Sequence, residues 1–125
     1  MTADKLSPSS RVAVVGLGYV GLPLAVALAK HFDTTGFDIN AARVAELMEG
    51  HDRTGEVELH RLRASSLKVT SDPEAIRGSA IFIVTVPTPV DENNKPDLRP
   101  VRAACTTVAP LMEKGAIAVF ESTVY

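Results

Sequence analysis

Between Arg11 and Glu121 the chain alternates short, nearly continuous apolar runs with longer stretches whose apolar residues recur at helical spacing. "RVAVV", Arg11–Val15, predicts a buried strand, and Val20–His31, rich in Ala and Leu, predicts a helix. "TTGFDI", Thr34–Ile39, is a second strand. Asn40 can cap the helix that follows, which carries Val44, Leu47 and Met48 and stops at Gly50. The polar segment 51–66 has room for one short helix, and "LKVT" from Leu67 is a short strand. Asp72 and Pro73 mark the start of a helical turn or two. "AIFIVTV", Ala80–Val86, is the strongest strand, apolar on both faces. After it come the 14 residues "PTPVDENNKPDLRP", a helix from about Leu98 to Met112, and a last strand from Ala116.

Strands that are apolar throughout, each followed by a helix, are covered on both faces. The pattern therefore predicts an α/β fold, a doubly wound, Rossmann-like and mostly parallel sheet of at least five strands. Composition narrows the partners. Apolar residues make up 46% and charged residues 22% of 125 residues, and the net charge is −2, a globular profile with room for one core. Without a basic excess, with 5% aromatics and no Trp, nucleic acid is not an expected partner. The longest apolar run is broken by Gly21 and Pro23, so no membrane span is expected. The polar residues 1–10 are expected to form a flexible tail without signal-peptide character, ahead of one domain over 11–125. A single cysteine allows no internal disulfide and fits a reducing cytoplasm.

Candidate chemistry sits at the first strand–helix junction. Glycine weakens both kinds of element, yet Gly16, Gly18 and Gly21 stand there in the spacing G-x-G-x-x-G. Gly16 would allow the tight turn and Gly18 would let a pyrophosphate approach the backbone. Gly21 would let helix and strand pack closely, with the helix N-terminus facing the phosphates. Asp38, 20 residues beyond Gly18 at the end of the second strand, supplies the carboxylate that accepts hydrogen bonds from the ribose hydroxyls of NAD and repels the extra phosphate of NADP. Three readings of Arg43 stay open: over the adenine, on a ribose, or solvated. The proline-rich loop leaves the carboxyl end of a central strand, where Thr85 and Thr88 could meet the cofactor. The chain's last residues, "ESTVY", bring Glu121, Ser122 and Thr123 to the same edge. Cys105, among Ala103, Ala104 and Val108, is expected to be a small buried side chain and not a nucleophile. His31, His51 and His60 lack metal-ligand spacing, and no metal site is expected.

"VAVVGLGYVGLPLAVALA", "GFDIN", "TVPTP" with Pro96-Asp97-Leu98, and "ESTVY" together resemble the nucleotide-sugar 6-dehydrogenases, the UDP-glucose and UDP-N-acetylhexosamine dehydrogenases. "GHDRTGEVE" is more similar to the N-acetylhexosamine branch. The resemblance implies oxidation of the sugar's C6 alcohol to a carboxylate with two NAD molecules, through an aldehyde held on a cysteine. It implies that the backbone of Tyr19 and Val20 meets the pyrophosphate, and that Asp38 and Arg43 hold the adenosine half. Thr85, Val86, Pro87 and Thr88 would line the cofactor site with Ser122 and Thr123, and Thr123 would stand near the reacting carbon as a catalytic residue. The family's cysteine, lysine and water-activating acids find no match, Cys105 included. The chain is thus expected to be the amino-terminal NAD-binding half of a larger enzyme, inactive alone, with the UDP-sugar bound mostly elsewhere. The edge strand at Ala116–Glu121 is expected to favour homo-oligomers. Three alternatives remain: a UDP-glucose 6-dehydrogenase, another NAD dehydrogenase of the 2-hydroxyacid or beta-hydroxyacid type, and an NAD-sensing regulatory module.

Overall fold

The computed structural model describes residue 7 and residues 9–121. Most of the expected tail, and Ser122 and Thr123, lie outside the described residues. The elements run β1 (Arg11–Val15), α1 (Gly21–Leu28), β2 (Asp33–Phe37), α2 (Ala41–Met48), α3 (Leu59–Ala64), β3 (Lys68–Thr70), β4 (Ile81–Val84), α4 (Arg99–Val108) and β5 (Ile117–Phe120). Single 3₁₀ turns lie at Pro73–Ile76 and Ala109–Leu111. All strand pairs are parallel, in the order β3-β2-β1-β4-β5. This is the doubly wound sheet expected from the apolar pattern.

β1 is the centre. Val14 lies opposite Gly36 of β2 and Ile83 of β4. Its alternate residues feed two cores. Ala13 and Val15 pack with Phe82 and Val84 under Ala104, Val108 and Leu111, on the α4 side. Val14 packs with Leu22, Ala25, Val26 and Leu47, on the side of α1 and α2. Both faces are covered, so β1 has no polar side and its residues Val12 to Val15 are all buried.

Local chemistry sets the boundaries. Asn40 caps α2, its side chain accepting from the amides of Ala42 (3.0 Å) and Arg43 (3.2 Å). Gly50 ends that segment at φ +84°. Val44 and Leu47 face the core, whereas Met48, one position on, is exposed. Asp72 caps the 3₁₀ turn at Pro73 through the Glu74 amide. The chain leaves α1 at Leu28, earlier than His31, through tighter turns in which Lys30 and His31 donate three residues back. α4 stops at Val108, short of Met112. Pro110 has no N–H to continue the ladder, and one 3₁₀ turn follows. The expectation for Cys105 is corrected: it is exposed. Ala104 and Val108, four apart, take the inward stripe of α4, and Cys105 is turned about 100° from Ala104.

Candidate functional site

β1 and β4 are neighbours whose following helices lie on opposite faces, so a crevice opens at their carboxyl ends. The glycine turn fills one wall of it. Gly16 has φ +100°, and its amide donates to the Phe37 carbonyl (2.8 Å), which bends the chain out of β1. Gly21 stands against the Gly16 carbonyl and the Thr85 hydroxyl so closely that a Cβ there would overlap both. The Thr85 hydroxyl lies 2.7 Å from the Gly16 carbonyl oxygen and 3.1 Å from that of Val15. Thr85 therefore clamps the end of β4 to the turn. At Gly18 the space is open, with no heavy atom within 4 Å of a Cβ position. The amides of Gly18, Tyr19 and Val20 have no partner among the described residues, and no side chain caps the start of α1. A bare stretch of donors beside an open glycine fits the pyrophosphate of a dinucleotide.

The cleft in front of this turn has a volume of about 520 Å³. Phe37, Asp38 and Ile39 form one side, Thr85, Val86 and Pro87 the other, and Glu121 also lines it. α4 contributes Pro100, Ala103, Ala104 and Thr107, an apolar wall suited to a flat base, which the sequence reading did not assign. Tyr19, Val20 and Ile39 expose large apolar side chains around it. Thr88 is buried, its hydroxyl has no partner among the described residues, and it does not line the cleft. The loop itself folds back on itself. Val90 bridges Pro96, and the Asp97 amide donates to the Pro89 carbonyl. The Arg99 guanidinium beside Asp97 holds that carboxyl at a pKa of about 2.

Asp38 is bonded on both oxygens, accepting from the Leu17 amide (2.9 Å) and the Asn40 amide (2.9 Å). Its carboxylate is thereby fixed between the glycine turn and the start of α2. Arg43 is not solvated. It is 7% exposed, and its Nε donates to the Leu17 carbonyl (2.8 Å) while Nη1 reaches Glu46 (2.8 Å) and Asp52 (2.9 Å). Asp52 also accepts from the Thr54 amide and hydroxyl and the Val57 amide. Burial pushes the Asp52 carboxyl up, but these bonds from Thr54, Arg43 and Val57 outweigh it and hold its pKa below the usual value. Burial likewise pulls Arg43 down, and its bonds to Glu46 and Asp52 leave its pKa raised. Glu46, bonded to Arg43 and Arg53, is lowered. Sequence reading missed Glu46, Asp52 and Arg53. The signal was the Asp52-x-Thr54 spacing in "GHDRTGEVE", which lets an Asp side chain bond the amide two residues on.

A parallel doubly wound sheet with an open glycine, free amides and a fixed carboxylate at its carboxyl edge is a dinucleotide-binding domain. Residues 10–125 match the UDP-glucose/GDP-mannose dehydrogenase family, NAD binding domain, and the chain belongs to that family. It is 50% identical over 116 residues to the UDP-N-acetyl-D-glucosamine 6-dehydrogenase of Pseudomonas aeruginosa, covering 92% of this chain and 28% of that protein. The structure of a UDP-D-ManNAc dehydrogenase from Pyrococcus horikoshii superimposes with a TM-score of 0.83 at 38% identity, covering 90% of this chain and 28% of that one. A UDP-glucose dehydrogenase from Pyrobaculum islandicum gives 0.76 at 30% identity, covering 94% and 30%. The chain thus spans less than a third of the length of these relatives. Among the described residues no helix is long and apolar enough to cross a membrane.

Proposed function

We propose that this chain is the cofactor-binding part of a cytoplasmic NAD-dependent 6-dehydrogenase acting on a UDP-N-acetylhexosamine. The substrate class is carried by one observation, the 50% identity to a UDP-N-acetyl-D-glucosamine 6-dehydrogenase, against 30% to a UDP-glucose dehydrogenase. NAD, when bound, supplies the hydride acceptor for oxidation at the sugar's C6. The chain's own residues do the binding and the exclusion. The amides of Gly18, Tyr19 and Val20 receive the pyrophosphate. Asp38 accepts from the adenosine ribose, and Phe37, Ile39 and α4 enclose the base. Val86 and Pro87 line the path toward the nicotinamide end. Thr123 and Ser122 remain the candidates for contact with that end, Thr123 near the reacting carbon. No nucleophile for an aldehyde step is assigned within the chain, because the one cysteine, Cys105, is exposed and its thiol makes no hydrogen bond or ion pair among the described residues.

Calorimetric titration tests the cofactor reading. NAD is expected to bind more tightly than NADP, and Asp38→Ala is expected to weaken NAD by about 1.5–3 kcal/mol, roughly tenfold or more. Equal or tighter binding of NADP by the unaltered chain would overturn the role of Asp38. The substrate reading is tested in the full-length protein, following NADH with UDP-N-acetylglucosamine, UDP-N-acetylgalactosamine and UDP-glucose. An N-acetyl sugar is expected to be preferred, and preference for UDP-glucose would sink it. Residues 1–125 alone are expected to bind NAD without turnover.

A further inference from the structure

On the α2 side of the glycine turn lies a second hollow of about 210 Å³, lined by Asp38 itself with Leu17, Gly18, Asn40, Arg43, Arg53 and Thr54. Its composition is unexpected next to a site read as NAD-selective. Two guanidiniums stand where the 2′-phosphate of NADP would come if Asp38 marks the adenosine ribose. The buried Arg43 has one nitrogen, Nη2, with no hydrogen-bond partner among the described residues. Arg53 is largely exposed and reachable. By donor set alone the hollow could take a phosphate.

Glu46 prevents this from behind. It does not line the hollow, yet one of its oxygens lies 2.8 Å from Arg43 Nη1, and its two oxygens lie 2.8 and 3.0 Å from Arg53 Nε. Its side chain is 12% exposed, so both guanidiniums are drawn toward a largely enclosed carboxylate. Glu46 and Asp52 match the two guanidiniums in charge, and Asp38, bonded to the Leu17 and Asn40 amides, adds one negative charge beside them. We propose that Glu46 is a specificity-determining residue for the cofactor: it pairs with Arg53 and, together with Asp52, with Arg43, and so withholds both guanidiniums from a 2′-phosphate. Discrimination against NADP is then shared between Asp38, which repels, and Glu46, which occupies the cations that would attract. The proposal rests on the reading of Asp38 as the ribose carboxylate.

The test is the ratio of the two affinities, measured by calorimetry on the chain. Glu46→Gln keeps the shape and removes the charge. It is expected to tighten NADP about tenfold, the scale of one freed charged hydrogen bond, and to leave NAD within about twofold. The gain should disappear in Glu46→Gln with Arg53→Ala, and should shrink at roughly 1 M salt, where screening acts within about 3 Å. Arg53→Ala alone, an exposed change that the fold tolerates, should leave NADP binding as it was, because Glu46 already holds that cation. The proposal is overturned if NAD and NADP affinities move together in Glu46→Gln, or if Arg53→Ala by itself weakens NADP. A separate failure is distinguishable: if Asp38→Ala leaves NAD affinity intact, the ribose reading fails, whatever Glu46 does.

Discussion

Gly21→Ala is expected to be the most damaging single methyl group that can be added to this chain. The new Cβ would overlap the Gly16 carbonyl oxygen and the Thr85 hydroxyl, and would come within 2.9 Å of the Gly16 carbonyl carbon. Two of these atoms are backbone, so no rotamer change relieves the clash. α1 must move off β1, or the Gly16 turn must open. Forcing a methyl into a packed site costs about 1–3 kcal/mol and more where backbone has to shift. The Thr85 hydroxyl also loses its place between the carbonyls of Val15 and Gly16, which adds about 1 kcal/mol. A loss of at least about 3 kcal/mol is expected, seen as a fall in melting temperature of roughly 10 °C or more. Gly18→Ala is the control. Its Cβ meets nothing within 4 Å, and the melting temperature should hardly change, while NAD affinity falls because the methyl stands where the pyrophosphate approaches. If both variants lost stability equally, or if Gly18→Ala bound NAD normally, the division of labour among the glycines would be wrong.

How much of this was legible in the sequence depends on the range over which each feature is specified. The parallel, doubly wound sheet and the β1 covered on both faces follow from apolar runs alternating with helices, which are local, and they appear in the structure as expected; the strand order β3-β2-β1-β4-β5 comes from the fold itself. The glycine turn was legible because Gly16 needs a positive φ, Gly21 stands against the Gly16 carbonyl, and Gly18 leaves open space, all within one short spacing. Asp38 was legible by position, but its bond to the Leu17 amide joins residues 21 apart and could not be seen. The sequence alone leaves three readings of Arg43 open for the same reason. Its partners are a carbonyl in the glycine turn and a carboxylate beyond α2, and only the fold brings them together. Cys105 is exposed although its neighbours in sequence are small and apolar. Burial on a helix is decided three and four residues away, where Ala104 and Val108 form the inner stripe. Thr88 has the residue type for a cofactor contact, but the course of the proline loop turns it inward, away from the cleft lining.

Asp52→Ala should be the second large effect, and it acts from outside the cofactor cleft. The Asp52 side chain is fully enclosed and the Arg43 side chain is 8% exposed, so removing the carboxylate leaves a buried guanidinium with one fewer anion. It also strands the Thr54 and Val57 amides, whose acceptor it was. Deleting one partner of a buried ion pair costs about 3–5 kcal/mol, a large share of a domain's total stability. The loop 52–57 should loosen first, since three of its bonds end on this one side chain. The effect then reaches the cofactor turn through Arg43 and its bond to the Leu17 carbonyl, so NAD affinity should fall together with melting temperature. Asp52→Asn should lose less, because an amide oxygen can still accept from Val57 or Thr54, though it cannot balance Arg43. pH offers the same perturbation without mutation. Asp52 and Glu46 both have folded pKa values below their ordinary 3.8 and 4.5, so the stability they contribute is present above those values and is lost as pH falls through the lower folded ones. Melting temperature should therefore decline below about pH 4.5 in the unaltered chain and decline less steeply in Asp52→Asn. A variant chain that melts normally and binds NAD normally would show that the Arg43 cluster is ornamental, and that the glycine turn holds its shape without it.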